Sequence, residues 1–108
     1  MAEQAGVNLY HYRARLIRVV DGDTIDVDLD LGFHLRARHR LRLLGVDTPE
    51  RGEPGFAEAT ATVRQRLEAA QELVVWTVKL DSFGRWLASV WADGQLINDE
   101  LVGMGYRL

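Results

Sequence analysis

The chain has 108 residues, which is room for one domain. Its 47% apolar and 27% charged residues exclude intrinsic disorder and a collagen-like chain, and its lack of cysteine excludes a disulfide framework, a thiolate nucleophile and a cysteine zinc site. The net charge of −3 argues against a protein that simply coats nucleic acid, since such binding draws on a basic surface.

No apolar run approaches the ~18 residues of a membrane-spanning helix, so no membrane partner is expected. The N-terminal stretch MAEQAGVNLYHYRAR lacks the apolar core of a secretory signal. As written, the sequence predicts a cytoplasmic protein, or a secreted one if a signal has been removed. Charge is unevenly placed. Five acids fall between Asp21 and Asp30, and 12 of the 13 basic residues are arginine, whose planar fork suits phosphate and carboxylate.

Residues 1–10 read as a loose terminus and 11–108 as one domain. Tyr12 to Val20 is apolar and β-branched, with arginines interleaved, and predicts a strand. Thr24 to Leu31 alternates, with Ile25, Val27, Leu29 and Leu31 on one face and Asp26, Asp28 and Asp30 on the other. Phe33 to Leu44 alternates too, setting Phe33, Leu35, Ala37, Leu41 and Leu43 against Arg36, Arg38, Arg40 and Arg42. Gly32 marks a hairpin turn between them. Pairing that hairpin symmetrically puts Asp30 opposite Arg36, Asp28 opposite Arg38 and Asp26 opposite Arg40, a ladder worth roughly 0.2–1 kcal/mol per pair. It reads as a solvated face that fixes register. The alternative is direct substrate contact by Arg36, Arg38 or Arg40.

Pro54 suits a helix's first turn, and Phe56, Val63, Leu67 and Ala70 recur at helical spacing, so a helix is expected from Pro54 to Gln71. Strands follow over Leu73–Leu80 and Trp86–Trp91, with turns at Asp81–Gly84 and Asp93-Gly94. Asn98 fits the N-cap of a short last helix and Gly105 its end. Trp76, Trp86 and Trp91 read as barrel residues rather than stacking platforms. His11, His34 and His39 show no ligand spacing. The whole is a β-rich α+β chain. Five strands with a helix between the third and fourth match an OB-fold-like Greek-key barrel with two helices.

Three polar clusters sit at strand ends or turns. Asp21-Gly22-Asp23-Thr24 offers hard-oxygen ligands for Ca²⁺ or Mg²⁺, or is simply a turn. Val46-Asp47-Thr48-Pro49-Glu50 places two carboxylates around a rigid proline, or caps the next helix. Asp81-Ser82-Phe83-Gly84-Arg85-Trp86 turns tightly and aims a guanidinium. Hydrolysis of a phosphodiester needs charge stabilisation, a positioned water and a base, and these clusters together supply the residue types.

The motifs DGDT, RLRLLGVDTPE and DSFGRWLASVWADGQLINDELV, in that order from about Arg13 to Gly105, resemble the staphylococcal-nuclease (thermonuclease) family. The resemblance implies a barrel with helices packed on one side. It also implies a Ca²⁺-dependent, largely sequence-nonspecific nuclease that cleaves DNA and RNA to 3′-phosphate and 5′-hydroxyl ends. It casts Asp23, Asp47 and the Thr48 carbonyl as Ca²⁺ ligands. Glu50 would orient or deprotonate the attacking water. Arg42 and Arg85 would bind the phosphate, with Phe83 stacking on substrate. Asp21 would serve the turn. Single-stranded or frayed nucleic acid is the expected substrate.

The chain departs from the family's pattern. The third helix has no counterpart, nor do the tyrosines flanking the nucleotide pocket. Ser82-Phe83 replaces a lysine-tyrosine pair, the hairpin from Asp23 to Arg42 is longer, the loop after Glu50 is shorter, and the charge is acidic. Leu101, Met104, Tyr106 and Leu108 are therefore expected to be exposed or covered by a partner, with weak self-association or marginal stability as the result. The alternative function is a catalytically weak OB-fold module that binds nucleic acid or protein.

Overall fold

A computed structural model describes residues 9–108; most of the expected loose terminus lies outside them. The elements are β1 (His11–Asp21), β2 (Thr24–Gly32), β3 (Leu35–Leu43), α1 (Phe56–Glu68), β4 (Leu73–Leu80), β5 (Trp86–Ala92), β6 (Gln95–Leu96) and α2 (Ile97–Gly103). β1 pairs with both β2 and β4, and β5 pairs antiparallel with β4 and parallel with β3. The sheet thus closes into a five-strand barrel, and β6 adds two residues beside β5. Closure removes the sheet edges that would otherwise template aggregation.

The period-two pattern decides what fills the barrel. Ile25, Val27, Leu41, Val75, Ala88 and Val90 are wholly buried inside it. Their register is the one the sequence implies: Asp26 opposite Arg40, Asp28 opposite Arg38 and Asp30 opposite Arg36. The ion pairs run partly on the diagonal, as a twisted sheet allows. Arg40 grips Asp26 with both Nε and Nη2, at 2.8 and 3.1 Å. Arg36 reaches across to Asp28 at 2.7 Å, and Arg15 of β1 joins it at 3.0 Å. Asp28 is therefore buried under guanidinium groups rather than solvated. Hydrogen bonding to Arg40 and the charge of Arg18 hold the Asp26 carboxyl below its ordinary value of 3.8.

The hairpin turn falls one step beyond the expected glycine. Phe33 and His34 form it with φ of 54° and 62°, and Gly32 precedes them at 83°. Two turn residues with positive φ match the twist of the flanking strands, but neither has glycine's freedom. The ion-pair ladder and the buried rows on either side hold them there. Phe33 itself points into solvent.

Both helix starts differ from expectation. Gly55, at φ 89°, is the residue before α1, so Pro54 lies outside the helix, which ends at Glu68 rather than Gln71. Ala59, Val63 and Leu67 then share a buried face at four-residue spacing. In α2 the preceding residue is Leu96, and Asn98 is no cap. Its side chain turns inward, where Oδ1 accepts from the Val90 N–H at 2.9 Å. Nδ2 donates to the carbonyls of Leu44 and Ala88 at 2.9 and 3.1 Å. One amide thus ties α2 to β5 and to the segment after β3. Gly105 ends α2 as expected, with the Tyr106 N–H donating back to the Leu101 carbonyl at 3.0 Å.

Leu101, expected on the surface, is buried, and Tyr106 packs against the core; Met104 and Leu108 are exposed. Trp86 packs against the core. Trp76 lies on the outer face, stacked on His11 at 5.5 Å and 4°, and His11 also meets Trp91 at 5.7 Å.

Asn98→Ala removes the side-chain partner of the Val90 N–H and of the Leu44 carbonyl, while the Ala88 carbonyl keeps the Leu44 N–H, so urea unfolding should show a loss of roughly 1–3 kcal/mol. Asp26→Asn should be less stable than wild type at neutral pH. Because the folded-state pKa is lowered, that deficit should shrink as pH falls below 3.8 and through the folded value, as followed by thermal melts across pH.

Candidate active site

A concavity of about 250 Å³ is lined by Asp21, Asp23, Arg42, Asp47, Thr48, Pro49, Glu50, Phe83 and Arg85. The three sequence clusters therefore meet in one place. The β1–β2 turn carries Asp21 and Asp23, the end of β3 carries Arg42, the loop after it carries Asp47 to Glu50, and the β4–β5 turn carries Phe83 and Arg85.

The turn is built by its own side chains. The Asp23 N–H donates to Asp21 Oδ1 at 3.1 Å, and the Thr24 hydroxyl donates to Asp23 Oδ1 at 3.0 Å. The Asp23 carbonyl accepts from the Leu43 N–H at 2.8 Å, and Asp23 Oδ2 accepts from the Thr48 N–H at 3.2 Å. Gly22 lies flat against Thr48, where a β-carbon would sit 2.7–2.8 Å from three of its side-chain atoms. Thr48 is thereby fixed beside Asp23, and its hydroxyl is buried without a hydrogen-bond partner. The cap reading of Asp47 to Glu50 does not hold, because α1 begins six residues after Glu50.

Arg42 Nη1 lies 2.6 Å from Asp23 and Nη2 lies 3.8 Å from Asp47. Burial works to raise the Asp23 pKa. Hydrogen bonds from Asp21, Arg42 and the Thr48 backbone outweigh it, so Asp23 is held below its ordinary value. Asp21 moves the other way, raised by burial and by its neighbour Asp23. The two acids of the turn are thus shifted in opposite directions, with Asp23 the more acidic.

Arg85 is positioned by a residue to which the sequence pattern assigns no role beyond a turn. Asp81 Oδ2 accepts from Arg85 Nε at 2.9 Å, and Nη2 lies 2.9 Å away. Asp81 Oδ1 takes the backbone N–H groups of Phe83 and Arg85. Burial raises the Asp81 pKa, but these N–H groups and the guanidinium lower it overall. The acid four residues before the arginine, opening a glycine turn, is the signal for this role in the sequence. The Arg85 guanidinium also lies 5.2 Å from the exposed Phe83 ring. Glu50 is exposed, and its carboxylate has no partner among the described residues; its N–H donates to Glu53 Oε1 at 2.6 Å. Asp47 is held from the chain's other end, where its N–H donates to the Tyr106 carbonyl at 3.2 Å.

Four carboxylates face two guanidinium groups here, which favours a cation. Asp23, Asp47 and the Thr48 carbonyl form a hard-oxygen set of the kind Ca²⁺ or Mg²⁺ takes, and the unpartnered Thr48 hydroxyl beside them fits a site built for a polar ligand. Among the described residues no three acidic or histidine side chains form a closed cage, so water would complete the shell.

The family model described as staphylococcal nuclease homologue matches residues 40–107. A thermonuclease of Staphylococcus hyicus is 35% identical over 98 residues, covering 84% of this chain and 55% of that protein. A thermonuclease of Staphylococcus intermedius is 35% identical over 95 residues, covering 82% and 54%. An uncharacterized endonuclease of Escherichia coli O157:H7 is 33% identical over 92 residues, covering 84% and 56%. The chain spans about half the length of the curated relatives it matches.

Gly22→Ala forces a β-carbon onto the Thr48 side chain and should cost about 1–3 kcal/mol in urea unfolding. An unchanged midpoint would show that the two loops part freely.

Proposed function

The chain belongs to the staphylococcal nuclease family, and from that premise we propose that it is a Ca²⁺-dependent nuclease hydrolysing DNA or RNA to 3′-phosphate and 5′-hydroxyl ends, with single strands preferred. The observation that carries this reading is the convergence of Asp23, Arg42, Asp47, Thr48, Glu50 and Arg85 on one concavity. Asp23, Asp47 and the Thr48 carbonyl would hold the ion, which would supply Lewis-acid polarisation of the phosphate.

The protein's own groups divide the remaining work. Glu50, exposed and unpartnered, takes a proton from the attacking water and orients it. The water oxygen bonds to phosphorus, the P–O5′ bond breaks, and the 5′ oxygen takes a proton from solvent. Negative charge rises on the phosphorus oxygens meanwhile. Arg85, clamped by Asp81, meets that charge without reorganising during the step. Arg42 pairs with Asp23 at 2.6 Å, lies 3.8 Å from Asp47, and offers its remaining donors to the phosphate. A flat Phe83 ring beside Arg85 is placed to stack on an unpaired base, which supports the single-strand preference.

Incubation of single-stranded DNA with millimolar Ca²⁺ should give cleavage that EDTA abolishes. Glu50→Gln should lower kcat by roughly 10²–10⁴-fold with little change in oligonucleotide affinity. Arg85→Ala should lower it by roughly 10²–10³-fold. A folded wild type that binds but does not cleave would favour the binding-module reading, and a Glu50→Gln protein as active as wild type would remove Glu50 from its role.

A further inference from the structure

A second groove opens beside this pocket, between β1 and α1. It has a volume of about 440 Å³ and is lined by residues 17–20 of β1, by Arg51, and by Phe56, Thr60, Arg64 and Glu68 of α1. The four helix residues are spaced by four, so they form one stripe facing β1. The linings of the groove and the pocket share no residue but are adjacent in the chain at two places. Arg51 follows Glu50, and Val20 precedes Asp21. A further depression shares Ile17 and Glu68 with it and carries the channel on along the helix. With α1 13 residues long, the run extends for about 20 Å at 1.5 Å per residue.

The charge of this groove sets it apart on an acidic molecule. Among the described residues, Arg13, Arg15, Arg18, Arg36, Arg40, Arg42, Arg66 and Arg85 lie within ion-pair distance of a carboxylate. Arg51 and Arg64 do not, nor do Arg38 and Arg107, and all four are exposed; of these, Arg51 and Arg64 share the groove. Arg18 adds a third guanidinium on the opposite wall, shared with Asp26 at 3.4 Å. Arg51 lies over the Phe56 ring at 5.2 Å, so an apolar face and a cation stand together at the end of the groove lined by the residue after Glu50. The one acid in the lining, Glu68, is at the far end.

We propose that this groove binds the sugar-phosphate backbone of the nucleic-acid strand as it leaves the catalytic pocket, with Arg51, Arg64 and Arg18 on successive phosphates and Phe56 against a base. The assignment rests on the nuclease reading above and names where its longer substrate lies. It also explains how a chain of net charge −3 holds a polyanion: the attraction is local, concentrated on one track rather than spread over the surface.

The test is anisotropy of a fluorescent oligothymidylate long enough to span the groove, titrated in EDTA over a range of salt, beside a labelled dinucleotide. The double variant Arg51→Ala/Arg64→Ala should bind the long strand several-fold more weakly. Its salt slope should be shallower by about 1.4, which is 0.7 for each of the two phosphates no longer neutralised. Dinucleotide affinity and melting temperature should stay at wild-type values. Glu68→Gln should tighten the long strand alone. Equal slopes for wild type and double variant, equal weakening for both ligands, or a wild type that binds the long strand no better than the dinucleotide would each overturn the proposal. So would arginine-dependent binding of an acidic peptide without binding of the strand. Cleavage with Ca²⁺ is scored separately. Cleavage with no change of slope discards the groove and keeps the nuclease. An arginine-dependent slope without cleavage does the reverse.

Discussion

The contact of Gly22 with Thr48 is the constraint on which the site depends. There is no room between them for a β-carbon. This lets the β1–β2 turn lie directly on the loop that follows β3, and the Asp23 carboxylate can then accept the Thr48 N–H. Two segments 25 residues apart thereby become one rigid surface. Asp23, Asp47, Thr48 and Glu50 inherit their relative positions from it, and Arg42 is drawn between Asp23 and Asp47. The far end of the chain completes the arrangement. Asn98 holds α2, and Tyr106, just beyond that helix, pins the Asp47 backbone.

Arginine does two different jobs in this molecule. On the hairpin it is structural: Arg36 and Arg40 bind Asp28 and Asp26 and cover what would otherwise be a row of like charges. At the pocket, Arg42 and Arg85 are held by Asp23 and Asp81. Such pairing gives up part of a guanidinium's attraction for phosphate in return for a fixed direction. Arg38, Arg51, Arg64 and Arg107 follow neither pattern, since no carboxylate of the described residues lies within ion-pair distance of them, and of the four only Arg51 and Arg64 line the groove beside α1. A strongly basic protein would not need the distinction. In an acidic one, which arginines are already occupied decides where an anion can go.

Much of this was legible because it is periodic. Alternation set the strands, their inward faces away from the hairpin turn and the pairing of Asp26 with Arg40, since a slip of one residue would turn every apolar side chain outward, while Leu31, Phe33 and Leu35 at the turn are exposed. The motif residues of the pocket were legible because they sit at strand ends and turns. Less legible were the features that local chemistry states ambiguously. Asn98 has the look of a cap, yet its amide faces three backbone groups brought there by β5 and the segment after β3. Pro54 suits a first helical turn, but Gly55 takes a left-handed conformation and the helix begins after it. Leu101 reads as surface in isolation and is core once α2 docks. Asp81 is only a turn residue until Arg85 folds back onto it.

The sequence by itself determined the barrel's strands, their register and the family to which the chain belongs, because alternation and ordered motifs are written in neighbouring residues and survive without knowledge of the rest. Only the tertiary structure decided that Asp21 and Asp23 shift in opposite directions, which arginines are engaged, and that a groove forms between β1 and α1. Burial, ion pairing and concavity belong to groups far apart in the chain, and no local pattern encodes the distance between them.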